Sequence, residues 1–485
     1  MSGGTAAGKR DAARNPPGVT RALSRHAATL QYEALPPELV DLIKQCVMDT
    51  LGVSIGASTL APEAAILDAY VAVMGGKPEA TILGFGSKAP AAWATFVNGS
   101  LGHMLDYDDM GESGHPGIVT IPVAFAVAEK MGGVDGRELI TAIAAGMDIM
   151  TRISRAIDVP DWTMAEGWFA TQLIGFAAGA ATAGRLLKLD PEQMENALGI
   201  GFNQMSGTRQ MAEGAATHMR SMQAGFSGQG AVLAAELARR GIIGSKDFVE
   251  GRYGFFRTYI RGCEPDWDGI VDGLGVKFPI LEKHGFKVWP ACAYTRTTNT
   301  STLAIREQHG LKPEDIESIT IVGGTGGTQQ LCEPLAAKRR PKVSIDGKFS
   351  IPFTTAVMMA KGNVTLRDYT EEGLRDPAVL AMADRVSYRA GTGPVTGKGG
   401  SQDVSKTSVE IVTRDGRRFE HRSTSVPGDA KNPVSWERLE AKFRDCVSFS
   451  LKPVAAHHLN SAVALIQALE AEPDATGVVR LLAGP

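Results

Sequence analysis

A chain of 485 residues with 44% hydrophobic and 21% charged residues is too apolar to be disordered and long enough for two or three domains' worth of core. Its net charge of −3 provides no basic excess to hold a polyanion, so no nucleic-acid partner is expected. Cys46, Cys263, Cys292, Cys332 and Cys446 are scattered without a C-x-x-C pair, which argues against a disulfide framework and a structural zinc site and points to a reducing, cytoplasmic setting.

Residues 1–20 are small and polar with no apolar segment, so they predict a disordered tail rather than a secretory leader. Leu39, Leu42, Ile43, Cys46, Val47 and Leu51 recur with the helical period, and 137–153 is apolar on most sides, as in a helix buried among others. The longest apolar stretch, 173–184, is shorter than the ~20 residues of a membrane span, so no membrane partner is expected. Asp190-Pro191-Glu192-Gln193 carries an N-cap, a first-turn proline and a capping-box glutamine. Gly225, Gly228 and Gly230 predict close backbone packing just before a helical run over 231–239. No strand is expected before residue 260, which makes 21–287 a helical domain.

After that the pattern changes. Residues 316–322 (IESITIV) alternate and are β-branched, and 409–412 and 419–422 flank Asp415-Gly416, a hairpin signal. With helices predicted over 351–361 and 376–383, residues 288–426 read as an α+β domain. The glycine-rich segments 323–327 and 393–400 lack the residues of a phosphate loop and read as plain loops. Helical period returns within 427–485. The predicted fold class is mostly α, a large helical domain completed by the C-terminus with a smaller α+β lid inserted.

The densest polar cluster is His103-Met104-Leu105-Asp106-Tyr107-Asp108-Asp109, followed by Gly111, Glu112, Gly114 and His115-Pro116. If the preceding helix continues to Gly111, Asp106 and Asp109 share a face and Asp108 points elsewhere. A new helix from Ile118 would place His115 near its positive end, which lowers a histidine pKa and keeps the ring neutral, as a general base requires. A competing reading takes Asp108-Asp109-Met110-Gly111-Glu112 as the D-D-x-x-E spacing that holds magnesium and diphosphate in all-α synthases, although no second acidic motif accompanies it.

The stretch from His103 to Pro122 (HMLDYDDMGESGHPGIVTIP) resembles the signature of the MmgE/PrpD family, which contains 2-methylcitrate dehydratases and cis-aconitate decarboxylases. The resemblance continues in order through Gly167-Trp168, Ala197-Leu198-Gly199-Ile200, Glu250-Gly251-Arg252-Tyr253-Gly254-Phe255, Lys287-Val288-Trp289-Pro290 and residues 346–353 (DGKFSIPF). It implies a helical domain with an α+β lid, a cleft between them and a homodimer. It also implies lyase or isomerase chemistry on small carboxylic acids with no metal or other cofactor. Asp106, His115 and Lys287 stand where the family has a functional aspartate, histidine and lysine. Met110 replaces a threonine, Phe169 a histidine, Arg220 a lysine, and Cys292 the histidine of the decarboxylases. Arg296 is where many relatives have an arginine, and Phe353 where some have a tyrosine.

This chemistry needs a base for a proton beside a carboxylate and cations for the developing enolate-like charge. His115 is the expected base with Asp106 orienting it or sharing the proton, and Arg220, Lys287 and Arg296 are the expected cations. His103, Met110, Phe169, Cys292, Tyr294 and Phe353 are expected to line the substrate site. The loss of polar groups at Met110, Phe169 and Phe353 predicts an acid less polar than a tricarboxylate, with one or two carboxylates beside an apolar portion. Two alternatives stay open: an isomerase or epimerase using the same base, and a non-catalytic ligand-binding relative.

Overall fold

The computed structural model describes residues 18–159, 162–212, 217–323, 327–390 and 407–484. Residues 1–17 of the expected tail, 324–326 and the glycine-rich loop 393–400 lie outside the described residues. Val19 and Thr20, expected in the tail, instead open helix α1 (Val19–Thr29) and are buried. The Glu250 carboxylate accepts the backbone N–H groups of Gly18 (3.1 Å) and Thr20 (3.0 Å), satisfying donors that a helix start leaves unpaired.

The apolar stripe from Leu39 becomes α2 (Pro37–Leu60). There follow α3 (Ala91–Met104), α4 (Gly117–Lys130), α5 (Gly136–Arg155), α6 (Ala170–Leu186), α7 (Pro191–Phe202) and α8 (Met219–Arg239). α5 is buried along most of its length, as its all-round apolarity predicts, and Asp190 and Gln193 form the reciprocal capping box of α7. α8 starts at Met219, twelve residues before the predicted run, and contains the three glycines. A Cβ at Gly225 would lie 2.3 Å from the Phe96 carbonyl oxygen of α3, so the crossing of α8 over α3 requires glycine there. That close packing offsets the roughly 1 kcal/mol cost of glycine inside a helix. Among the described residues no single helix is long and apolar enough to cross a membrane.

Strands do occur before residue 260, against expectation. β1 (Ala80–Thr81) pairs with β2 (Lys88–Ala89), and β3 (Asp109–Met110) pairs with β4 (Gly285–Phe286), both antiparallel. Two residues are too few to imprint an alternating pattern on a sequence. Beyond α9 (Thr295–Gln308) comes β5 (Ile316–Gly323), then α10 (Ser344–Lys348), α11 (Ile351–Lys361), α12 (Pro377–Ala383) and β6 (Val386–Arg389). β7 (Thr407–Thr413) and β8 (Arg418–His421) form the predicted hairpin, with Gly416 at φ 87° in its turn. The sheet order is β6-β5-β7-β8, with β5 and β6 parallel and the other pairs antiparallel. α9 lies against β7 and β8, and α11 against α9 and α12.

In the C-terminal segment, α13 (Trp436–Val447) runs along α2. A Cβ at Gly56 would sit 2.8 Å from the Cys446 carbonyl oxygen, and Lys442 Nζ pairs with Asp49 Oδ1 at 2.5 Å. α14 (Ala456–Gln467) also touches α2.

Candidate active site

The site is made where α3 stops. Asp106 takes a left-handed conformation (φ 49°), rare for a non-glycine residue and a common mark of functional strain, and the chain turns there. The helix therefore ends at Met104 rather than continuing to Gly111, and Asp106 and Asp109 do not share a helix face. Three residues on, Asp109 and Met110 pair with Phe286 and Gly285. This short ladder brings Lys287, 181 residues away, onto the acidic turn: its Nζ is 2.6 Å from Asp106 Oδ1 and 3.7 Å from Asp108 Oδ1.

Asp108, expected to point elsewhere, is the hub. Its carboxylate is fully buried and lies 3.0 Å from His103 Nδ1 and 2.8 Å from His115 Nδ1. His115 Nδ1 is also 2.7 Å from the Asp109 carbonyl oxygen. With both Nδ1 partners being acceptors, the proton of a neutral His115 belongs on Nδ1 and Nε2 is the basic nitrogen. The expected orienting role of Asp106 thus passes to Asp108, because Asp106 is engaged by Lys287 and lies 3.9 Å from Arg220. The expected lowering of the His115 pKa is also overturned. Burial works to lower it, but the Asp108 carboxylate outweighs burial and raises it.

Burial opposes ionisation of Asp106, yet Lys287 and Arg220 hold it at about 2. Burial likewise opposes ionisation of Asp108, but His103, His115 and Lys287 keep its carboxyl well below the usual range. Burial lowers the His103 pKa despite Asp108. Burial, with the negative Asp108 and Asp49 nearby, pushes Asp109 up to about 7. Lys287, which burial alone would lower, is raised by Asp106 and Asp108.

This cluster borders a cleft of about 1360 Å³, with Asp108 and Asp109 buried behind its lining. His103, Asp106, Met110, His115, Phe169, Arg220, Lys287, Cys292 and Tyr294 all reach it. The Arg220 guanidinium sits 3.9 Å from the Phe349 ring centre and 5.9 Å from that of Phe169. Burial and Asp106 raise the Cys292 pKa, so it is a thiol. Two expected site residues are not in the cleft wall. Arg296 is buried and donates to the Pro427 carbonyl (2.8 Å) and Asp429 (2.6 Å), which commits its charge to that segment. Phe353 is fully buried in the first turn of α11, its ring centre 6.2 Å from that of Tyr369.

Sequence reading missed Asp108, His284, Arg209, Phe349 and Lys348. Asp108 and Lys348 sit inside motifs already singled out, while Arg209, 5.1 Å from the Phe169 ring centre, carries no local signal. The D-D-x-x-E acids do not converge. Asp108 faces two histidines, Asp109 accepts from Gly117 N–H at 2.9 Å, and Glu112 pairs with Lys283 at 2.5 Å. A cysteine and a histidine that no sequence spacing links do meet in space: Cys46 Sγ and Asp109 Oδ2 each lie 3.2 Å from His284 Nε2. His103, Asp108 and His115 form a second group of ligand-type atoms. In the first group burial, reinforced by His115, lowers the His284 pKa to about 3, so its ring is neutral, and His284 Nδ1 and Asp109 Oδ1 are buried without a hydrogen-bond partner among the described residues.

The family model for the MmgE/PrpD N-terminal domain matches residues 21–268, and that for the C-terminal domain matches residues 289–467. The chain is 25% identical over 454 residues to a cis-aconitate decarboxylase of Aspergillus terreus, covering 88% of this chain and 89% of that protein. It is 23% identical over 483 residues to the Homo sapiens cis-aconitate decarboxylase (96% and 95%). It is 23% identical over 370 residues to a mitochondrial 2-methylcitrate dehydratase of Yarrowia lipolytica (72% and 68%). The chain belongs to the MmgE/PrpD family.

Proposed function

We propose that this protein is a lyase that removes a proton beside a carboxylate of a small carboxylic acid and eliminates water or carbon dioxide. The observation that carries this is His115, on the cleft wall, with Nδ1 held 2.8 Å from a buried carboxylate and two cations, Lys287 and Arg220, close by. His115 Nε2 takes the proton, with a raised pKa that makes it a stronger base than free imidazole, and the imidazolium gives the proton back, to the departing hydroxyl so that it leaves as water or to the carbon from which carbon dioxide is lost. Asp108 fixes the tautomer and stabilises the imidazolium that forms. Arg220 and Lys287 stabilise the negative charge that develops on the substrate carboxylate. The relatives' names, a decarboxylase and a dehydratase, support both eliminations.

Met110 and Phe169 contribute apolar surface to the cleft, which supports an acid with an apolar portion; Phe353, facing the core, no longer contributes to that reasoning. The divergent aims of Asp108, Asp109 and Glu112 support turnover without a divalent ion. We also assign 288–426 as a lid over the helical part, and a homodimer. The helix Pro62–Met74 leaves Ile66 (66%) and Val73 (86%) exposed, which supports a partner surface. Product analysis tests the function: released carbon dioxide or a new alkene is expected, and exchange of the substrate proton with solvent but no elimination would replace the lyase with an isomerase.

A further inference from the structure

Lys348 ends α10, and its carbonyl accepts the Cys292 N–H at 3.1 Å, which ties it to the segment following Lys287. The residue is only 3% exposed, yet it lines the cleft beside Phe349. Of the other lysines on the cleft wall, Lys287 has Asp106, Lys283 has Glu112 and Lys338 has the Phe349 carbonyl at 2.8 Å, while Lys342 and Lys431 are exposed to solvent. Lys348 differs. Among the described residues no carboxylate lies within ion-pairing distance of its Nζ and no acceptor lies within hydrogen-bonding distance. Its Nζ lies over the Tyr369 ring, 5.8 Å from the ring centre.

A buried ammonium without a counterion is costly, and that cost is relieved when an anion arrives. Asp106 is near enough to act on it through space but is already held by Lys287. We propose that Lys348 anchors a second carboxylate of the substrate, so that the acid processed here is a dicarboxylate held at Arg220 and Lys287 by one end and at Lys348 by the other. This rests on the cleft being the active site of a carboxylic-acid lyase. Burial, opposed by Asp106 and Glu63, brings the Lys348 pKa down to about 8, so Lys348 is cationic at neutral pH and loses its charge above that.

The test uses the full chain, wild type and Lys348→Met, with maleate and monomethyl maleate, by calorimetry and thermal melting. Wild type is expected to bind maleate at least about tenfold more tightly than the monoester, the range of one charged hydrogen bond. That preference should fall as pH rises past 8. Lys348→Met should lose the preference, keep its affinity for the monoester, and melt without ligand at or above the wild-type temperature, because an unpaired buried charge has gone. A wild type that does not discriminate the two probes overturns the proposal, as does a variant that keeps the preference. A variant that melts lower or fails to fold also overturns it, since Lys348 would then be a structural cation over Tyr369. If the binding pattern holds but no acid is turned over, the anchor stands and the lyase fails; turnover unaffected by Lys348→Met has the reverse meaning.

Discussion

Asp108→Asn isolates the least expected feature of the site. The Asp108 carboxylate lies 2.8 Å from His115 Nδ1, a separation at which two unit charges attract by about 6 kcal/mol at an effective dielectric near 20. That attraction outweighs burial and raises the His115 pKa, so the wild-type base is lost as pH falls through a value above its ordinary one. Asparagine removes the charge while burial and Lys287 remain, and the pKa must drop. The acid limb of kcat/KM should then move to lower pH, and the weakened, misoriented base should lower kcat by ~10²–10⁴-fold, about 2.7–5.5 kcal/mol of barrier. Breaking a buried charge network also costs about 3–5 kcal/mol of stability, so activity is referred to the folded fraction from near-ultraviolet circular dichroism. An unmoved acid limb with kcat within about threefold of wild type would remove Asp108 from the mechanism.

Asp109 provides a stability test. Its folded pKa is pushed to about 7 by burial, Asp108 and Asp49, against ~3.9 in an unfolded chain. The folded state therefore binds the extra proton between those values, and wild-type stability from this group declines as pH rises from about 4 to 7. The melting temperature of Asp109→Asn minus that of wild type should grow across this window and level off above it; a constant difference contradicts the assignment. Exhaustive chelation should leave turnover unchanged, and activity restored specifically by magnesium or another divalent ion would revive the D-D-x-x-E alternative.

The helices were legible wherever burial imprints a period on the sequence, as at Leu39–Leu51 and over 137–153, and wherever a cap carries its own chemistry, as at Asp190. The hairpin at Asp415-Gly416 was legible for the same kind of reason: its turn demands a positive φ. The elements that build the site were not. β3 and β4 are too short to alternate, and the left-handed Asp106 that ends α3 early exchanges the places of Asp106 and Asp108. Arg296 and Phe353 matched by position in a motif, but sequence does not reveal that Asp429 takes the charge of one and the core takes the ring of the other. The contact of Cys46 with His284 joins positions 238 residues apart, beyond any spacing rule.

The central claim is that His115 abstracts a proton ahead of an elimination, and one experiment addresses it directly. A panel of hydroxy- and unsaturated mono-, di- and tricarboxylates, cis-aconitate and 2-methylcitrate included, is incubated in deuterium oxide with wild type and with His115→Ala, and products are followed by NMR. Wild type should release water or carbon dioxide from at least one acid, most efficiently from a dicarboxylate with an apolar portion, and His115→Ala should be slower by ~10²–10⁴-fold at an unchanged melting temperature. Deuterium incorporation without elimination, or a fully active His115→Ala enzyme, would contradict the account.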